Sequence, residues 1–323
     1  EPTMPNDTPA PQTKITKKYI RIQATDSSLW KYNRKTRTLI ITGNGGTNSE
    51  SAAIIDADSQ MDKDDGQRYN IGSFSLDSTA KGRHAANELI TKTEKIIIKD
   101  GITTINSAAF ASFQSLTKIT IPNSVKKIGD FALKDCKRLQ QITIPASVVK
   151  IGGGAFENCT NLYDIKFESG SNCNSMENYP NNPGSSPIQN CKSLRTFQMP
   201  NRIKYISKYF FEGCDSLESV SFGKNFRGYQ MTFGDENIFD DSSSLLSKKL
   251  QKIKVAKSNP YLESIDGILY DKQQKRLLLY PRGRISTTYR VPKGTKSMSD
   301  SAFRLCDRLQ TVIISDKKLK LHY

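Results

Sequence analysis

A repeat of 23 residues runs through most of this chain of 323 residues and restricts the folds that it can adopt. Leu116, Leu139 and Leu162 are each 23 residues apart, and Leu194 and Leu217 show the same spacing. Within the unit that begins at Leu139, apolar residues and a final cysteine stand at fixed offsets. They are Ile142, Ile144, Val148, Ile151, Ala155, Phe156 and Cys159. A repeat of this length predicts a solenoid in which each unit forms one coil and buries its apolar side against its neighbours.

The pattern within one unit predicts how each coil is built. The opening L-x-x-I-x-I alternates, which is typical of a short strand with one face turned inward. A proline follows in many units, as at Pro122 and Pro145, and it ends the strand because it cannot donate a backbone hydrogen bond. The next apolar pair, V-x-x-I, turns inward on the opposite side of the coil. About nine such coils, stacked at the roughly 4.8 Å spacing of paired strands, predict a solenoid roughly 40 Å long.

Departures from the repeat suggest a division of the chain. The proline-rich residues 1–17 are predicted to be a disordered linker, left either by removal of a leader or lipid-anchored segment or by an arbitrary boundary. Residues 18–94 are predicted to form a β-rich capping region with a hairpin from Leu29, and residues 95–323 to form the solenoid. Three insertions are expected, near residues 168–187, 223–237 and 258–285, and the last reads as a hairpin around Asp271.

The units LTKITIPNSVKKIGDFALKDC and LQQITIPASVVKIGGGAFENC resemble the repeat of the BspA-like bacterial leucine-rich repeat family. The N-terminal W-K-Y-N and L-I-I-T-G-N-G resemble the cap that precedes such repeats. The resemblance covers roughly residues 29–315. It implies a leucine-rich-repeat solenoid of the α/β type, β-rich with short helical or irregular outer segments, in an extracellular or surface-attached bacterial protein. It also implies anchoring of the precursor and a role in adhesion or binding rather than catalysis.

Two features depart from the family pattern. Residues 43–93 are longer and more acidic than the cap, and the chain ends at Lys318-LKLHY without a recognisable C-terminal cap. Either the native chain continues, or Lys317, Lys318 and Lys320 protect an open edge strand.

Five of the six cysteines occupy one position of the repeat. They are Cys136, Cys159, Cys191, Cys214 and Cys306, and Phe113 and Ser242 take the same position in other units. A position that accepts Cys, Phe or Ser indicates packing rather than catalysis or metal binding. A disulfide between stacked coils stays open on distance. Cys173 falls in an insertion, outside the pattern, and is therefore expected to be the most reactive thiol.

Catalytic and metal sites find little support in the sequence. The two histidines, His84 and His322, lie in no catalytic motif, so we expect no enzyme, no cofactor and no metal. The acidic stretch 56–66 could supply oxygens to calcium, but it lacks the spacing of an EF-hand, which favours a solvated loop. The glycines 152–154 lack the strand and helix that a phosphate-binding loop needs. An enzyme would require a cleft that brings His84 near Asp62, Asp64 or a cysteine.

Charge and hydropathy limit the partners further. Lys and Arg number 48 against 32 Asp and Glu, a net charge of +16, but the excess is spread along the sequence without a basic tract. Such a surface attracts polyanions without conferring specificity, so no specific nucleic acid is expected. No apolar stretch approaches the roughly 20 residues that cross a membrane. The protein is expected to be a monomer.

The outward positions of the predicted strands give the candidate site. In each L-x-x-I-x-I, the residues beside the first isoleucine point away from the core and form a polar, mildly basic sheet face. The predicted binding residues are Lys118, Thr120, Gln141, Thr143, Lys166, Gln198, Lys252 and Lys254. Repeat proteins use such faces for binding, which predicts recognition of a host protein or glycan. The alternatives are a solvated face without a partner and a carbohydrate or polyanion receptor that uses diffuse lysine charge. Insertions carrying Tyr179 and Tyr229 are a second candidate, because exposed aromatic rings suit such ligands.

Overall fold

The computed structural model describes residues 12–16, 18–23, 29–43, 54–55, 80–176, 186–207, 209–229, 247–315 and 319–321. It shows a β-solenoid of stacked coils with one helix in the described part. The elements in chain order are β1 (Gln12–Ile15), β2 (Tyr19–Gln23), β3 (Leu29–Asn33), β4 (Thr38–Thr42), β5 (Ile54–Ile55), α1 (Ala80–Lys92), β6 (Lys95–Ile98), β7 (Thr104–Ile105), β8 (Lys118–Thr120), β9 (Lys127–Ile128), β10 (Gln141–Ile144), β11 (Lys150–Ile151), β12 (Asp164–Phe167), β13 (Ser175–Met176), β14 (Thr196–Gln198), β15 (Tyr205–Ile206), β16 (Ser219–Phe222), β17 (Gly228–Tyr229), β18 (Lys252–Val255), β19 (Leu262–Ile265), β20 (Ile268–Asp271), β21 (Arg276–Leu279), β22 (Thr288–Arg290), β23 (Ser297–Met298), β24 (Thr311–Ile313) and β25 (Lys320–Leu321).

The N-terminal strands form an antiparallel meander that joins the solenoid. Strands β1 to β4 pair in sequence order, and β4 pairs in parallel with β6. The hairpin predicted from Leu29 is confirmed as β3 and β4. Gln12–Ile15, predicted as linker, instead form β1. The prolines end at Pro11, so these four residues can donate to the β-ladder. Helix α1 was not predicted, and it buries Ala85, Leu89 and Ile90.

Each coil contributes strands to two walls. The first wall contains β6, β8, β10, β12, β14, β16, β18, β22 and β24, which come from the L-x-x-I-x-I segments. The second wall contains β5, β7, β9, β11, β13, β15, β17, β21, β23 and β25, which come mostly from the V-x-x-I segments. Neighbouring strands pair in parallel with equivalent residues opposite one another, as for Ile142 and Ile165. The repeat therefore sets the register.

The remaining side of each coil is a sequence of turns that are hydrogen-bonded to the next coil. The amide of Leu133 donates to the carbonyl of Ala155 at 2.7 Å, and Asp135 donates to Glu157 at 2.8 Å. The residue before each cysteine adopts a left-handed backbone, with φ of 59° at Asp135 and 60° at Asn158. Asp, Asn and Gly tolerate this conformation best, which explains why they occupy the position in most coils.

A hairpin divides the apolar core. Strands β19, β20 and β21 are antiparallel, as predicted for the turn around Asp271, and Gly267 at the hairpin tip accepts a hydrogen bond from the amide of Ile253 in β18. The main core runs from Trp30 to Leu279. A second cluster around Tyr270 and Tyr289 fills the coils beyond the hairpin. The hairpin thus covers the edge of β18 and separates β22 and β24 from the rest of the first wall.

Candidate binding surface

The eight predicted binding residues lie in two aligned rows on the outer side of the first wall. In the first row Gln141 is paired with Asp164, and Thr196 with Ser219 and then Lys252. In the second row Thr143 is opposite Lys166, and Ser221 is opposite Lys254. These strands, β6 to β18, form three hydrogen-bonded groups that are in contact with one another. We call their outer side the sheet face.

Burial follows the alternation of the sequence. All eight side chains are exposed, whereas Ile119, Ile142 and Phe197 between them are buried. The structure therefore brings the predicted residues together on one surface. Their role in ligand binding stays a prediction.

The sheet face carries cations with little compensation. Lys95, Lys118, Lys166, Lys252 and Lys254 lie in the two rows, and Asp164 is the one acidic residue among the row positions from β6 to β18. None of these lysines forms an ion pair with any residue that the structure describes. Lys252 and Lys254 are two residues apart on β18, so their side chains leave the same face of that strand, roughly 7 Å apart at the backbone. The arrangement offers donors and positive charge to an acidic or polar partner.

One aromatic residue beside the rows escaped the sequence reasoning. Tyr163 is 40% exposed, and its hydroxyl accepts a hydrogen bond from the Gln141 amide. Tyr163 directly follows Leu162, the leading leucine of its unit, and lies beside the two rows that the alternating pattern predicts. An aromatic residue at that position was the available signal.

Tyr229 lies inside the coil, which contradicts the prediction of an exposed aromatic ring in the second insertion. It is 6% exposed and belongs to β17, which pairs with β15. Phe226 and Tyr229 take the two inward positions of V-x-x-I, so the repeat continues through residue 229. Tyr179, the other aromatic residue of this prediction, lies outside the described residues.

Cys173 was also misplaced by the sequence reasoning, and the prediction that it is the most reactive thiol is wrong. Its side chain is fully buried, and burial raises its pKa to about 12. The corner before it is two residues longer than in the preceding coil, with Gly170 at φ 75°. Cys173 therefore takes the inward position that Val148 holds one coil earlier, and Met176 pairs with Ile151.

The five cysteines of the repeat form a series of thiols that is buried except at Cys306. Each Sγ donates to a backbone carbonyl of the preceding coil, at 3.1 Å from Cys136 to Phe110 and 3.1 Å from Cys159 to Leu133. The same contact recurs at Cys191, Cys214 and Cys306. All six cysteines are free. The position thus favours a small apolar side chain with one weak donor, in agreement with a packing role.

Thiol reactivity in the native protein should follow burial. Burial raises the pKa of Cys306 to about 11 and that of Cys136 and Cys214 to about 12, so neutral solution contains almost no thiolate at any of them. Cys306 alone is partly exposed. We expect iodoacetamide at pH 8 to label Cys306 first and the others only in denaturant, as read by peptide mass spectrometry. Labelling of Cys173 before Cys306 would contradict this assignment.

Catalytic and metal candidates remain unassembled in the described part of the chain. His84 is exposed on α1, while His322, Asp62, Asp64 and the acidic stretch 56–66 lie outside the described residues. No group of three His, Cys, Asp or Glu that could hold a metal ion occurs among the residues described. Within the same residues, no helix is long and apolar enough to cross a membrane.

The parallel walls and the 23-residue coil define a leucine-rich-repeat solenoid. The chain belongs to the family of BspA-type leucine-rich repeat proteins, whose repeat matches residues 87–182 and 184–264 in six copies. The family predicted from the sequence is thereby confirmed, and no enzyme family is indicated.

Solved structures of bacterial leucine-rich repeat proteins are similar at low identity. One from Eubacterium ventriosum is 19% identical, over 97% of this chain and 62% of that one, with a TM-score of 0.46. The pneumococcal vaccine antigen PcpA is 17% identical, over 96% and 66%, with a TM-score of 0.45. A leucine-rich cell surface protein from Faecalibacterium prausnitzii is 18% identical, over 98% and 77%, with a TM-score of 0.41. The chain thus spans less than two thirds of the first two proteins. No curated protein matches it.

Proposed function

We propose that the chain is a non-catalytic binding module of a bacterial surface or secreted protein, and that its sheet face recognises a host protein or glycan. The observation that carries the proposal is the pair of aligned, exposed rows from Lys118 to Lys254. Membership of the BspA-type repeat family agrees with a binding role. An extracellular or cell-surface location, a membrane-anchored precursor and a monomeric module belong to the same proposal.

The mechanism is complementarity of shape and polarity. Paired strands fix the spacing of the outer side chains, so little backbone order has to be gained when a partner docks. Lys118 and Lys166 supply charge, Thr120 and Thr143 supply hydroxyl groups, and Gln141 is held by Tyr163. A partner with acidic groups flanked by hydrogen-bonding groups fits this pattern.

Charge reversal on the sheet face tests the proposal. The variant Lys118→Glu, Lys166→Glu, Lys254→Glu should lower binding to the recognised component of a glycan and extracellular-matrix protein array by about tenfold or more. This variant replaces three exposed cations of the rows with anions, which repel an acidic partner.

A matched variant separates position from net charge. Lys137→Glu, Lys192→Glu, Lys248→Glu changes three exposed lysines of the outer turns and gives the same formal charge. It should bind like the wild type. Equal losses in both variants, or no loss in the first, would rule out the sheet face as the site.

A further inference from the structure

The second wall gathers basic residues that are far apart in the sequence. They occupy the two positions before the last inward residue of V-x-x-I, or before its equivalent Leu277 in β21, and we call the set the basic stripe. Its members are Lys126, Lys127, Lys150, Lys204, Arg227, Lys275, Arg276 and Lys296. No aspartate or glutamate occupies these two positions in any coil that the structure describes. The positive charge is therefore concentrated here, although it looks dispersed in the linear sequence.

Backbone pairing aligns the basic residues of the stripe within three separate parts of the second wall. Lys127 is opposite Lys150 in β9 and β11. The amide of Arg227 donates to the carbonyl of Lys204 at 2.8 Å, and that of Lys296 donates to Lys275 at 2.9 Å. The stripe thus consists of three basic groups, on β9 and β11, at β15 and β17, and at β21 and β23, which follow one another in coil order.

Five of the eight side chains of the stripe are exposed and available to a ligand. Lys126, Lys127, Lys204, Lys275 and Lys296 are exposed, and the described acidic residues form no ion pair with them. Arg227 is held in place, with its guanidinium 4.4 Å from the ring centroid of Tyr261 and a hydrogen bond of 2.5 Å to that hydroxyl. The outer turns differ, because there Lys134 pairs with Glu157 at 2.9 Å.

Like charges that lie directly opposite one another on adjacent strands repel and destabilise the pairing. A linear polyanion removes this repulsion and releases the counterions that the lysines and its own groups hold. We propose that the basic stripe binds a sulfated polysaccharide that runs along the solenoid axis. This surface is distinct from the sheet face.

The shape of the wall favours a polysaccharide over a nucleic acid. Direct reading of duplex DNA requires an element that enters a groove, and the stripe lies on short strands of the second wall. Binding of single strands relies on several stacking aromatic residues. Among the described residues at the two positions that define the basic stripe, Tyr205 is the one exposed aromatic residue. The choice of a polysaccharide also rests on the proposed surface location.

Heparin serves as the probe, uncharged dextran as the blank and duplex DNA as the competing polyanion. The stripe variant Lys126→Glu, Lys127→Glu, Lys204→Glu should raise the heparin Kd about tenfold or more, and the slope of log K against log salt should fall by about 2 in magnitude. The sheet-face and outer-turn variants described above carry the same formal charge and should change the Kd less than about threefold. Lys126→Gln, Lys127→Gln, Lys204→Gln provides a milder change in case the glutamate variant does not fold.

The outcomes distinguish the two proposals. Equal loss of heparin binding in the outer-turn variant would show that only net charge matters, and would overturn the stripe. Loss in the sheet-face variant alone would place polyanion binding on the other wall. Equally tight binding of duplex DNA by the stripe would also overturn a polysaccharide site. The array experiment on the sheet face can fail or succeed independently, since the two variants share no residue.

Discussion

Replacement of Asn259 by alanine should lower the free energy of unfolding by about 3 to 5 kcal/mol, a large share of the stability of a domain. Asn259 is fully buried. Counted from Leu250, it occupies the inward position that Val148 holds in the unit of Leu139. The chain leaves the regular coil here to build the hairpin, and an amide replaces the apolar side chain of the repeat.

All the hydrogen-bonding groups of the Asn259 side chain are used. Its Nδ2 donates to the carbonyls of Gly223 and Phe226, each at 2.9 Å. Its Oδ1 accepts from the amides of Tyr261 at 2.8 Å and Leu262 at 2.9 Å. One side chain thus joins the preceding coil to the start of the hairpin. Its removal leaves three backbone groups without a partner, at about 1 to 3 kcal/mol each before relaxation or entry of water, while the Gly223 carbonyl still accepts from the amide of Phe226 at 3.3 Å.

Denaturant unfolding followed by circular dichroism measures the effect, and hydrogen exchange at Tyr261 and Leu262 locates it. Asn259→Val restores the volume typical of this position but not the hydrogen bonds, so it should be about as unstable as the alanine variant. Asn174→Ala, on the surface, should change stability by less than about 0.5 kcal/mol. A valine variant as stable as the wild type would show that packing, not hydrogen bonding, decides this position.

The inward and outward positions of the strands could be predicted from the sequence, because a strand alternates with period two and stacking repeats the register every 23 residues. Ile142 and Ile165, which were predicted to point inward, are opposite one another in the core. Thr143 and Lys166, the residues that directly follow them, are exposed. This local rule needs no information about distant contacts.

Where the turn between the two strands of a coil changes length, the inward positions could not be predicted in the same way. Two extra residues before Cys173 shift it relative to the 23-residue repeat. The buried thiol was therefore predicted to lie in an insertion, outside the pattern. Helix α1 gave a weak signal, since its buried residues Ala85, Leu89 and Ile90 cover little more than one turn of a polar segment that contains Gly82. Its position depends on contacts with the solenoid that the segment itself does not encode.

The basic stripe shows a different limit. Lys126, Lys204 and Lys275 belong to different coils, so no window along the sequence contains them together. The aligned repeats contain the information, but the predicted binding residues all come from outward positions of the first-wall strands. In a solenoid, each outward position of the repeat generates a row, and its charge has to be summed across coils rather than along the chain.

Alanine at Gly129 should destabilise the solenoid by about 2 to 4 kcal/mol, because the backbone of the preceding coil occupies the space that a Cβ needs. A Cβ at Gly129 would lie 2.5 Å from the amide nitrogen of Ser107 and 2.6 Å from the carbonyl carbon of Asn106. Gly152 repeats the contact one coil later, where a Cβ would lie 2.6 Å from the amide nitrogen of Asp130. The Oδ1 atom of Asp130 is nearer still at Gly152, but backbone atoms are in the way in both cases, and they can yield only if adjacent coils separate.

Gly170 provides the matched control, since it has a left-handed φ of 75° but a Cβ added there would meet no atom within 4 Å. Gly170→Ala should cost only the conformational strain, about 1 kcal/mol. Denaturant midpoints of the two variants, measured beside the wild type, separate steric contact between coils from backbone strain within one coil. Equal losses at Gly129 and Gly170 would mean that coil spacing adjusts freely. A larger loss at Gly129 would show that the close stacking of the turns, shared by Gly129 and Gly152, keeps the coils in register and so holds both outer surfaces in their rows.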